Sequence, residues 1–279
     1  MPDKKISRRT LIKGGIGLAA LGTVAWLRPA DQGAGHSPYF ENLSQALHQN
    51  QYARPTLVID KSRLVKNINS LKSHIYPNYK YRIVAKSLPS VPLLKLVSDL
   101  SESNRFMLFD ERFLFQVSQE IPNADVLMGK PMPVEAARYF YQQKSTSSFL
   151  ASKQLQWLID TPERLKQYQA LAQQTGQAMR INIELDVGLH RGGVKHDDEL
   201  ITIINLIESE PLFTFSGLMG YEPHVVKLPG SPEGHLKTAL AIYRQKLELI
   251  ESTLGRPLPK DVCLNTAGSP SYQLHTTLQ

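Results

Sequence analysis

A chain of 279 residues, 42% apolar and 20% charged, has the composition of a globular protein with one large domain or two modest ones, which excludes disordered, fibrous and small disulfide-stapled classes. The formal net charge is +7, but Lys4, Lys5, Arg8, Arg9, Lys13 and Arg28 against Asp3 and Asp31 place +4 of it in the first 35 residues. The remaining charge is too small to argue for a nucleic-acid partner, and the single cysteine, Cys263, excludes an intramolecular disulfide.

Residues 1–35 read as an export signal. A basic stretch precedes the uncharged run Gly14 to Leu27, whose 14 residues fall short of the ~20 that a membrane-spanning helix needs. Within it, Ser7-Arg8-Arg9-Thr10-Leu11-Ile12-Lys13 resembles a twin-arginine signal. The resemblance implies the twin-arginine export machinery as a partner and a periplasmic location. Gly33-Ala34-Gly35 is the small-residue cleavage candidate, with an uncleaved anchor as the alternative. Residues 36–53 read as a linker, and residues 54–279 as the domain.

From there the order is regular. PTLVID (Pro55 to Asp60) reads as a strand and Lys61 to Ile75 as an amphipathic helix, with Leu64, Ile68 and Leu71 at helical spacing. Further strands are predicted at Tyr81 to Ala85, Arg105 to Phe109, Asp125 to Met128, Leu155 to Ile159, Arg180 to Leu185, Phe213 to Met219 and Asp261 to Leu264. Helical patterns sit between most of them, including Pro92 to Leu100, Thr161 to Gln174, Glu199 to Ser209 and Gly234 to Leu254. Alternating strand and helix argues for parallel strands with crossover helices. Leaving PTLVID aside, seven strands remain, one short of a closed (β/α)8 barrel. An open doubly wound sheet would accept seven, but no Gly-rich dinucleotide turn follows the first strand.

In a barrel the functional groups follow the strands' carboxyl ends. Lys86 follows the first, in YRIVAKSLPS; Asp186, His190 and Arg191 follow the fifth, in INIELDVGLHRGGV. Tyr221 and His224 follow the sixth, in FSGLMGYEPHV, and Thr266, Gly268 and Ser269 follow the seventh, in CLNTAGSPSY. These groups suit pyridoxal phosphate. A desolvated lysine amine can form a Schiff base with its aldehyde. A Gly/Ser turn offers N–H groups to the phosphate, and an arginine offers a donor fork to the ring oxygen or a substrate carboxylate. Each residue also has a plain alternative. Lys86 could be a solvated strand-end lysine, Arg191 a surface ion-pair residue and Tyr221 a packed core tyrosine. His190 could orient its neighbours or face solvent. Asp197 and Asp198 read as helix-start charges. His224 and His235 have no carboxylate or cysteine at metal-ligand spacing, so no metal site is predicted.

With these motifs in order, the chain resembles the fold-type III pyridoxal phosphate enzymes, in particular the alanine racemase N-terminal-domain group containing D-threonine aldolases and D-serine dehydratases. The similarity runs from about Arg54 to Tyr272, through PTLVIDKSRLVKNI, YRIVAKS, ELDVGLHRGGV and GLMGYEPHV. It implies an α/β fold, a (β/α)8 TIM-type barrel. It implies Lys86 as the cofactor lysine, with Arg191 near the phenolic oxygen and Tyr221 at the pyridine ring. His190 and Thr266 would be further cofactor contacts, and Gly268 with Ser269 part of the phosphate cup. The activity implied is a lyase on D-3-hydroxy amino acids, by retro-aldol cleavage or β-elimination, with racemisation as the alternative. Full-length members of the group are expected to be dimers.

Two departures qualify this expectation. Ser87, Leu88 and Pro89 follow Lys86 where the aldolases and dehydratases commonly carry threonine, histidine and lysine, so a second base must come from elsewhere. The family also continues into an eighth strand and a β domain, which carries the divalent metal in the aldolases and dehydratases. The reading here is an incomplete barrel of a truncated frame, with a partner polypeptide as the alternative. A non-catalytic cofactor-binding remnant and a cofactor carrier are the competing functions.

Overall fold

The computed structural model describes residues 35–276 except residue 88. The twin-arginine segment and Leu88 therefore lie outside the described residues. The chain divides into two compact units between Ile59 and Asp60.

In the first unit a helix, α1 (Pro38–Gln49), runs through the segment expected as a linker, with Pro38 in its first turn and no buried residue. PTLVID forms no strand, and Leu57, Val58 and Ile59 are exposed. Its β-branched composition fits a strand, but a strand exists only where a neighbour pairs with it, and none does among the described residues.

The second unit alternates helix and strand as expected. Its elements are α2 (Lys61–Lys72), β1 (Ile83–Val84), α3 (Val91–Ser101), β2 (Arg105–Leu108), α4 (Glu111–Glu120), β3 (Asp125–Met128), α5 (Val134–Gln142) and α6 (Ala151–Gln154). There follow β4 (Leu155–Ile159), α7 (Pro162–Thr175), β5 (Met179–Leu185), α8 (Asp197–Ser209), β6 (Phe213–Gly220), α9 (Pro232–Leu254) and β7 (Cys263–Asn265), then a short 3₁₀ turn, Tyr272–Thr276. Local chemistry sets the ends. Thr161 accepts the Arg164 N–H at 3.1 Å to cap α7, Pro162 fills its first position, and Gly176 stops it with φ 67°. Asp110 caps α4 by accepting the Phe113 N–H.

The seven strands form one parallel sheet in the order of the sequence, the strand order of a TIM-type barrel. One face meets the helices. Phe106, Val126, Trp157, Ile181 and Ile183 are buried there, and Trp157 donates to the Tyr141 hydroxyl at 2.9 Å. The other face is the interior and is partly polar. Asn182 donates to Gln156 at 3.0 Å, and Arg82 donates to the Asp125 carboxylate at 3.2 Å and to Cys263 Sγ at 3.6 Å. Arg82 precedes β1 and Cys263 opens β7, so this contact requires the sheet to be rolled until its two edge strands approach. The segment after β7 also turns back toward the one before β1. Tyr272 lies edge-on to His74, and His275 to Tyr79, with ring centroids 6.0 and 6.5 Å apart. No described strand pairs with the outer edges of β1 and β7. Val84 and Leu264 on these strands stay about half exposed, which leaves the barrel incomplete between them.

Candidate active site

The ends of the strands carry one nearly continuous run of contacts. Lys86 follows β1 and places its Nζ 5.6 Å from the centre of the Phe109 ring, beyond β2. That ring lies against Gly129, beyond β3, so closely that a Cβ on Gly129 would sit 2.3 Å from it. The next residue, Lys130, reaches Glu184 on β5 at 2.9 Å. Arg191, in the loop after β5, lies 3.9 Å from the same carboxylate oxygen and stacks over the Tyr221 ring, 5.0 Å from its centre. Tyr221, beyond β6, packs on Gly268 in the turn after β7, where a Cβ would come within 2.5 Å of the ring. Lys86, Arg191, Tyr221 and Gly268 are thus brought into one run at the carboxyl ends of the strands.

A buried carboxylate holds the last part of this run. Glu222, adjacent to Tyr221 and 1% exposed, accepts from the Thr266 hydroxyl at 3.0 Å, the Ala267 N–H at 3.3 Å and the Ser271 hydroxyl at 2.7 Å. His275 Nε2 lies 3.2 Å from Oε1, the oxygen that also accepts from Ser271, while Thr266 and Ala267 share Oε2. Burial pushes the Glu222 carboxyl up, but the His275 imidazole and the Ser271 and Thr266 hydroxyls outweigh it and hold the group below the usual carboxylate range. The turn it fastens has Ala267 at φ 68°. The N–H groups of Gly268 and Ser269 have no acceptor among the described residues. Successive N–H groups beside a left-handed residue form a cradle for an anion.

His190 is placed apart from this run. Asp186 accepts the N–H groups of Gly188 and His190 and meets the His190 ring at 2.7 Å. Burial raises the Asp186 carboxyl, but the His190 and Gly188 N–H groups and the His190 imidazole hold it below its ordinary value. His190 itself is 69% exposed at its side chain. With Asp186 it lines a groove of about 610 Å³ against Asp197, Gln245 and Lys246 of α8 and α9. Asp197, read as a solvated helix-start charge, pairs there with the buried Lys246.

The donor set fits pyridoxal phosphate. Lys86 opens on a recess of about 270 Å³ lined by Ala85, Pro89, Phe109 and Phe113. It could hold the aldehyde, the 266–269 turn could hold the phosphate, and Arg191 could hold a ring oxygen or a carboxylate. Lys130, Glu184 and Glu222 are absent from the residues singled out in the sequence. Lys130 is the second residue after the third strand, so its position among the strand exits is the signal that finds it. Glu222 stands beside Tyr221, but only the fold shows that it is buried and fastened to the turn.

Gly268→Ala tests the packing between the turn and Tyr221. With the ring or the turn forced to move, the variant is expected to lose about 1–3 kcal/mol of stability and to bind pyridoxal phosphate more weakly. Urea unfolding and a cofactor titration check this.

Comparisons with known proteins agree with the fold. The family model described as "Alanine racemase, N-terminal domain" matches residues 59–279. No curated protein matches the chain. Among solved structures, the D-threonine aldolase from Filomicrobium marinum aligns at 16% identity over 80% of this chain and 59% of its own, with a TM-score of 0.65. A D-threo-3-hydroxyaspartate dehydratase aligns at 16% identity over 83% and 64%, with a TM-score of 0.61. The alanine racemase of Clostridium difficile 630 aligns at 14% identity over 77% and 55%, with a TM-score of 0.61. At these identities the likeness is one of fold, and the chain spans little more than half the length of the racemase.

Proposed function

The chain belongs to the alanine racemase N-terminal-domain family of fold-type III pyridoxal phosphate enzymes, and from that premise we propose that it is a lyase acting on a D-3-hydroxy amino acid, by retro-aldol cleavage or β-elimination. The observation that carries the reading is the run of strand-end contacts that begins at Lys86 and ends at the Gly268 turn. Bound pyridoxal phosphate supplies an aldehyde for the amino acid's amine and a ring that takes up electrons from a broken Cα bond. Lys86 would hold the cofactor and then serve as the base beside the substrate. The 266–269 turn would orient the cofactor through its free N–H groups, and Arg191, fixed over Tyr221, would keep its guanidinium toward the mouth.

The choice of lyase over racemase rests on the supply of bases. Racemisation calls for proton-handling groups on both faces of the substrate. Tyr221 is pinned between Arg191 and Gly268, and Leu88 and Pro89, in the sequence after Lys86, carry no group that transfers a proton. A single base suffices for elimination, in which the proton taken from Cα can leave with the hydroxyl group. The Ser7 to Lys13 motif supports a periplasmic setting.

Product analysis separates the readings. Cofactor-loaded protein given D-threonine or D-serine is expected to release glycine and an aldehyde, or ammonia and a 2-oxo acid. Formation of the L-enantiomer alone would replace the lyase with a racemase. Absence of any product across D- and L-amino acids, with the cofactor bound, would leave a binding remnant.

A further inference from the structure

We propose that Lys130 takes the carboxylate of the incoming amino acid and is a specificity-determining residue of this site; the inference rests on the pyridoxal phosphate reading above. The run of strand ends carries three cationic side chains, Lys86, Lys130 and Arg191, and the carboxylate of Glu184, whose side chain is 5% exposed, meets the latter two. Lys86 is committed to the cofactor. Arg191 lies over Tyr221, which itself packs on Gly268, so its guanidinium stands on the phosphate-turn side. Lys130 stands on the other side. It adjoins Gly129, which touches the Phe109 ring over which Lys86 lies, the side on which an incoming amine meets the cofactor lysine.

Two features distinguish Lys130 from an ordinary solvated lysine. Its ammonium is tied at 2.9 Å to a buried carboxylate, so its position is fixed before any ligand arrives. Only one of its three N–H donors is used by that contact, no second partner is found among the described residues, and the side chain is 37% exposed. A preplaced ammonium with free donors at a mouth suits a carboxylate, for which lysine acts as a compact point charge. Arg191 is farther from Glu184 and cannot replace Lys130 as its close counter-ion without leaving Tyr221.

A service confined to neutralising Glu184 is the competing role, and Lys130→Gln tells the two apart. Glutamine keeps an N–H for Glu184 while removing the charge. The probes are D-alanine and ethylamine, which share the amine, differ by the carboxylate and carry no β-hydroxyl for a lyase to act on, and binding is read from the absorbance of cofactor-loaded protein at equilibrium. Wild type is expected to prefer D-alanine by about tenfold or more, as a charge-assisted hydrogen bond to the carboxylate implies. Lys130→Gln should lose most of that preference with ethylamine binding nearly unchanged, and Lys130→Arg should keep much of it. Equal weakening of both probes in Lys130→Gln, an unaltered preference, or no preference in wild type would overturn the proposal. Failure of the underlying reading looks different. In that case wild type takes up no pyridoxal phosphate, or its absorbance band persists unchanged in Lys86→Ala.

Discussion

Glu222→Ala is expected to lower the unfolding free energy by about 3–5 kcal/mol, measured by urea denaturation at pH 7. Glu222 is the common acceptor for Thr266, Ala267, Ser271 and His275. Ser271 and His275 are themselves buried, so removing the carboxylate strands donors that water cannot reach. Each stranded donor costs about 1–3 kcal/mol, and the alanine leaves a void besides. Glu222→Gln retains the shape and one acceptor oxygen and should lose less. Its pH dependence provides a separate check. Hydrogen bonds hold the folded pKa of Glu222 below its unfolded value despite burial. The stabilisation from its charge is therefore complete above the unfolded value, about 4.3, and drains away as pH falls through the folded one. The stability gap between wild type and Glu222→Gln should be flat from about pH 7 to 5 and shrink below about pH 4.3. A gap that stays constant to pH 3 would mean that Glu222 acts through shape alone.

Lys86→Ala carries the second large effect, a loss of turnover by about 10²–10⁴-fold or more, the range for removing a positioned proton-transfer group, with the fold unchanged. Among the described residues Lys86 is the only lysine lining the recess beside Phe109, and Lys130, the other amine in the run, is held by Glu184. Lys86→Arg should be equally inactive, because a guanidinium stays protonated and cannot bond the aldehyde. Near-native turnover in either variant would move the chemistry to another group.

Much of the scaffold was legible because its signals are local. The predicted bounds of β3 and β4 coincide with the observed ones, and Thr161-Pro162-Glu163 announces α7 through a cap and a preset φ. PTLVID misled because its pattern is that of a strand while pairing depends on a distant partner. The helix α1 has Phe40, Leu43 and Leu47 at helical spacing, a signal that the reading of this segment as a linker passed over, although the helix buries no residue. That Lys86, Arg191, Tyr221 and Gly268 stand at strand exits could be read from the apolar runs that precede them. The partners that fix them could not. Lys130 and Glu184 are 54 residues apart, and Glu222 and His275 are 53 apart. Only the closing of strands β3 to β5, and of the turn after β7, brings these pairs within hydrogen-bond reach.

The most direct test of the central claim is chemical. Purified protein is loaded with pyridoxal phosphate, reduced with sodium borohydride, digested and mapped by peptide mass. The account predicts one pyridoxyl adduct, on the peptide carrying Lys86, absent from Lys86→Ala. No adduct in wild type, or one on another lysine such as Lys130, would contradict it.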